Sequence, residues 1–92
     1  MIEKLKSGNV KSLFETILKL GTVEECYMFF EDLCTVKEIE AMSIRLLAAK
    51  KLLSGKTYEE ILDEVDISSA TLSRVSKAIQ YGDGGYKKII EK

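Results

Sequence analysis

The sequence predicts an all-α domain, and three observations lead there. It contains no proline and no run of strand-like alternation. Apolar residues recur at helical spacing along most of the chain. One signature, Thr-x-x-Glu, stands before three of the apolar segments.

The first helix is expected over residues 9–20, where Val10, Leu13, Phe14, Ile17, Leu18 and Leu20 form one broad apolar face that Gly21 ends. Thr22-Val-Glu-Glu25, Thr35-Val-Lys-Glu38 and Thr57-Tyr-Glu-Glu60 each match the capping box. In it the threonine oxygen accepts from the third backbone N–H while the glutamate reaches back to the cap N–H. They fix three helix starts. The first opens a helix to about Leu33 carrying Cys26, Tyr27, Phe29 and Phe30. The second opens a longer one, Val36 to Ser54, with Ile39, Met42, Leu46, Leu47, Leu52 and Leu53, stopped by Gly55. The third opens a short helix, Tyr58 to Val65, expected to turn Ile61, Leu62 and Val65 inward. A fifth helix is expected from Ser69 to about Tyr81 and a short sixth over residues 86–91, separated by Gly82-Asp-Gly-Gly85.

Ninety-two residues make a single domain, 1–92, with no linker long enough to divide it. A chain this size buries only about 60–65% of its unfolded surface. The 46% apolar content therefore suggests that a second subunit covers some of it. The net charge of −1 creates no global attraction to nucleic acid, so any such attraction has to be local. Cys26 and Cys34 are expected to be small buried thiols rather than a disulfide framework. The absence of histidine removes the usual general base and the commonest metal ligand. MIEKLKSGNV has no hydrophobic signal core, and no apolar run approaches the ~20 residues of a membrane span. A soluble, cytoplasmic protein is the expectation.

Residues 57–81 have the spacing of a helix-turn-helix: a two-turn helix, the turn Asp66-Ile67-Ser68, then a helix whose Leu72, Val75 and Ile79 face inward. Ile67 pins the pair, and Ser69, Ala70, Ser73, Arg74 and Lys77 are left outward. Small side chains let a backbone approach base edges, hydroxyls donate or accept there, and an alanine methyl meets a thymine methyl. Arg74 and Lys77 lie where cations meet phosphates. From Ile67 to Tyr81 there are two cations and no acid, whereas Tyr58 to Asp66 holds five acids and no cation. Only one face of such a module can approach a polyanion. Three readings fit this pattern: a DNA-reading helix, a plain antiparallel pair with a serine-rich surface, and a protein-docking helix.

The stretch CTVKEIEAMSIRLLAAKKLLSGKTYEEILDEVDISSATLSRVSKAI resembles the core of the bacterial Trp repressor family, at Thr35, Glu38, Arg45, Gly55, Ala70, Thr71 and Arg74. The likeness covers nearly the whole chain and is strongest to the YerC/YecD-type members. It implies six helices and an intertwined homodimer, with residues 1–55 and 82–92 as dimerisation helices and 57–81 as the helix-turn-helix. Phe14, Tyr27, Phe29 and Phe30 would then have a part in the dimer. Two reading heads would sit about one DNA turn apart, ~34 Å, as in helix-turn-helix dimers generally, Trp repressor among them.

The resemblance also implies an effector site at Thr35, Arg45, Thr71 and Arg74. Val75 stands where the family has a glycine, Ala78 where it has a serine, and Asp32 and Cys34 where it has leucines. These departures argue against tryptophan as the ligand and leave a different small corepressor, or none. The family's cations on the first helix of the motif are replaced by acids such as Glu59 and Asp63. Readout is therefore expected from Ser68, Ser69, Ala70 and Ser73, with Lys56, Arg74, Ser76 and Lys77 toward phosphates. The expected function is a dimeric, sequence-specific DNA-binding regulator, a repressor of a metabolic or amino-acid-related operon. The alternative is a helix-turn-helix module that contacts polymerase or another regulator. No enzyme is expected, since no nucleophile–base pair or phosphate loop is visible; Gly82–Gly85 lacks the preceding strand and the Lys-Ser/Thr end of one.

Overall fold

The computed structural model of the chain describes residues 3–92. Met1 and Ile2, at the start of the expected dimerisation segment, lie outside the described residues. The described residues form a 3-10 turn, Glu3–Lys6, and six α-helices: α1 (Gly8–Ile17), α2 (Val23–Leu33), α3 (Val36–Leu53), α4 (Tyr58–Glu64), α5 (Ser69–Tyr81) and α6 (Gly85–Ile90). The chain divides into two compact units, Met1–Val36 and Lys37–Lys92. Among the described residues no helix is long and apolar enough to cross a membrane.

In the first unit, Ser7 caps α1 by accepting from the Val10 N–H. α1 ends three residues before the expected Leu20. The Thr16 hydroxyl donates to the Ser12 carbonyl, and the Lys19 and Leu20 N–H groups bond back to Thr16 and Ile17 in tighter turns. Thr22 caps α2 as its signature predicts, accepting from the Glu25 N–H at 3.0 Å. The Glu25 carboxylate reaches one residue further back than the motif requires, to the Gly21 N–H at 2.8 Å. Neither α1 nor α2 contains a buried residue. Leu18 is 83% exposed, and Phe14, Val23, Tyr27 and Met28 also stand in the open. The expectation of buried thiols fails: Cys26 is exposed and Cys34 half-buried.

The core lies in the second unit. Ala48 and Ala49 of α3, Ile61 and Val65 at α4, and Leu72 and Val75 of α5 are buried together. Ile44, Leu52, Ile67, Ile79, Tyr86 and Ile90 pack around them. The two alanines are what lets other side chains close onto α3, since a methyl group keeps the helix surface low at that point. The larger apolar residues of α3 behave differently: Met42, Leu46 and Leu47 are exposed. Leu62, expected inward, is 39% exposed, because Ile61 and Val65 already fill the inner stripe of a two-turn helix.

Gly55, at φ +96°, turns the chain between α3 and α4, a conformation costly for any residue with a Cβ. Thr57 and Glu60 then form the complete capping box: the Glu60 N–H donates to Thr57 Oγ1 at 3.2 Å and the Thr57 N–H to Glu60 Oε1 at 3.0 Å. The hydrogen bonds from Thr57 hold the Glu60 carboxyl below its ordinary range.

Candidate nucleic-acid interface

α4 and α5 are separated by four residues, 65–68, one more than expected because Val65 caps α4 instead of extending it; Ile61 and Val65 share the buried cluster with Leu72 and Val75, and α5 has the expected limits. Its start is set by Ser68, whose Oγ accepts from the Thr71 N–H at 3.1 Å while its O–H donates to Thr71 Oγ1 at 2.9 Å. Ser68 is therefore occupied as a cap, its hydroxyl proton already given to Thr71. Gly82 ends the helix, its N–H donating to the Ala78 carbonyl at 3.0 Å.

The residues expected on the outer face divide into three groups. Ser69, Ala70, Arg74 and Lys77 are exposed, and Ser73 is half-buried at the edge of the same face. Ser76 is not on that face: it is 7% exposed, and its Oγ accepts from Gln80 Nε2. Its position explains this, since 72, 75, 76 and 79 form one helical stripe and Ser76 follows Leu72 by one turn. The 3.6-residue period alone carried that signal. Lys56 is exposed but engaged, 3.2 Å from Glu64 Oε1 and 3.7 Å from Glu60 Oε2.

Glu64 is a residue that sequence reasoning passed over. It accepts from Lys51 Nζ at 2.6 Å as well as from Lys56, and so ties the last turn of α3 to the end of α4. The two lysines hold the Glu64 carboxyl below its ordinary range, Lys51 foremost, and Glu64 in turn raises Lys56. The Lys56–Glu60 pair is readable at i, i+4, but Lys51 and Glu64 are too distant in sequence for any local rule to join them. Glu59 and Asp63, on the outer side of α4, make no ion pair among the described residues. The first helix of the motif thus presents free acids, and the second presents free cations beside small side chains.

Of the four residues expected to hold an effector, the structure brings two together. Arg45 and Thr71 line an open groove of about 310 Å³ between α3 and the start of α5. Ser68 also borders it, with Lys37, Glu40 and Asp66 as charged neighbours and Ala41, Ile44 and Ile67 as its apolar floor. Arg74 is exposed on the outer face and does not line this groove. Thr35 precedes α3, at the end of the first unit. Val75 is turned into the core at 2% exposure. Among the described residues no cluster of His, Cys, Asp and Glu could hold a metal ion.

Comparison with known proteins places this arrangement. Residues 8–92 match the Trp repressor protein family. The chain is 42% identical to YerC of Bacillus subtilis (strain 168) over 91 residues, covering 99% of this chain and 88% of that protein. A candidate Trp repressor from Staphylococcus aureus, known from its crystal structure, is 46% identical, with a TM-score of 0.93 over 99% of this chain and 91% of its own. A TrpR-like protein from Eubacterium eligens ATCC 27750 is 42% identical, with a TM-score of 0.92 over 98% and 93%. The helix order, the helix-turn-helix and these likenesses agree: the chain belongs to the Trp repressor family, a family of DNA-binding regulators rather than enzymes.

Proposed function

We propose that the protein is a homodimeric, sequence-specific transcriptional regulator that inserts α5 into the major groove, acting as the repressor of a metabolic, amino-acid-related operon. The observation that carries this reading is the outer face of α5. Ser69 and Ala70 stand exposed at its start with Ser73 beside them, Arg74 and Lys77 follow, and no acid interrupts residues 67–81. Small hydroxyl and methyl groups read base edges at close range while the cations hold the phosphates. Ser68 contributes by capping α5, and Lys56 contributes only by giving up its glutamate partners to a phosphate. Ser76 has no part in the contact.

Support for the dimer comes from the first unit. Two helices without a fully buried residue, which expose Phe14, Leu18, Val23, Tyr27 and Met28, carry apolar surface of the kind that marks an interaction site. A second copy is the simplest cover.

The groove at Arg45 and Thr71 is the effector site in this reading. Its charged rim of both signs suits a small zwitterion or carboxylate better than an indole. A second reading, docking to polymerase or another regulator, draws on the free acids Glu59 and Asp63 of α4. Salt dependence separates the two. Binding to duplex DNA through phosphates weakens steeply as salt rises. A purified protein that enriched no sequence from a randomised duplex library at ~50 mM salt, with or without added amino acids, would overturn the regulator reading.

A further inference from the structure

The outer face of α5 does not stop at Lys77. Ala70, Arg74, Lys77 and Tyr81 follow one another at intervals of four, three and four residues, which keeps them on a single stripe about 16 Å long. Tyr81 is 82% exposed. It is also the last residue of the helix. The chain leaves the helix at Gly82 in an extended conformation where a Cβ would strike the Ala78 carbonyl oxygen, which leaves the phenol at the end of the stripe.

The charges on α4 decide how a duplex can use that stripe. Glu60 and Glu64 are neutralised by Lys56 and Lys51, but Glu59 and Asp63 are not, and they face outward. A polyanion brought against α4 meets unopposed carboxylates. Brought along α5 it meets Arg74, Lys77 and then a phenol. We propose that Tyr81 is a third backbone contact of α5, its O–H donating to a phosphate oxygen one helical turn beyond Lys77, so that α5 lies along the groove rather than entering it by its first turn alone. This rests on the DNA-binding reading above. Being neutral, Tyr81 displaces no counterion, which gives it a signature different from that of the two cations.

The test uses a duplex enriched from a randomised library on the wild-type protein. Tyr81→Phe, which removes only the hydroxyl, weakens binding about tenfold through two lost hydrogen bonds per dimer. It leaves the salt slope unchanged, and phosphate-ethylation interference loses the outermost phosphate of each half-site. Binding and interference identical to wild type in Tyr81→Phe overturn the proposal while leaving the DNA reading standing. A loss seen only in Tyr81→Ala, accompanied by dissociation of subunits in sedimentation, overturns it too and makes Tyr81 a subunit contact. If no duplex is enriched, the DNA reading fails and this contact with it.

Discussion

The cleanest perturbation of the contact face is Arg74→Ala together with Lys77→Ala. Both side chains are exposed and neither enters an ion pair among the described residues, so their removal breaks no salt bridge of the fold. Two cations per protomer make four in a dimer. Each phosphate neutralised contributes about −0.9 to the slope of log K against log salt, so the double variant should flatten that slope by about 3.6. Between 50 and 200 mM salt, a fourfold change, the wild type should therefore lose about 150-fold more affinity than the variant. The assay is a fluorescence-anisotropy titration of an enriched duplex at four or five salt concentrations. Circular dichroism and sedimentation are run alongside to show that helix content and subunit state are unchanged. A folded variant with the wild-type slope would refute the argument, because the cations of α5 would then have no phosphates to neutralise.

Four other outcomes follow from the geometry. Leu72→Ala opens a cavity at the centre of the second unit and should cost about 2–5 kcal/mol in urea unfolding, whereas an unchanged midpoint would place Leu72 outside the core. Gly55→Ala puts a Cβ on a residue at φ +96° and should destabilise by about 1–2 kcal/mol, again read from urea midpoints. Glu64 and Glu60 both have folded pKa values below their unfolded ones. Their stabilisation is therefore complete above the ordinary glutamate range and is lost as pH falls through the folded values. Glu64→Gln should flatten that acid limb and weaken the protein at neutral pH, and an acid-unfolding curve parallel to wild type would remove the clamp from the account. Phe14→Glu should abolish the dimer in sedimentation; a dimer of wild-type affinity would move the subunit interface elsewhere.

Much of the fold was legible because its signals are local. The three threonine signatures placed the starts of α2, α3 and α4, and Ser68 with Gly82 bounded α5 at both ends. The departures have two physical origins. Periodicity reports which side of a helix is apolar, and it does not say whether the covering surface belongs to the same chain. In α3 the apolar Met42, Leu46 and Leu47 are exposed, while the buried positions are the inconspicuous Ala48 and Ala49. Cys26 was misjudged for the same reason. Ser76 was a different error: its chemistry suggested a phosphate contact, and its place one turn after Leu72 was the stronger argument. At the site, the outward stripe of α5 could be read from spacing, but the groove at Arg45 and Thr71 and the Lys51–Glu64 tie join residues far apart in the chain.

That neither α1 nor α2 contains a fully buried residue has a consequence for dosage. On the dimer reading, order in the first unit is purchased by association, and association obeys mass action. Thermal midpoints should rise with protein concentration. The supply of operator-competent protein should climb roughly as the square of chain abundance while monomers predominate. A small fall in synthesis would then remove folded regulator and occupied operator together, so that the quantity of the chain becomes a signal in itself.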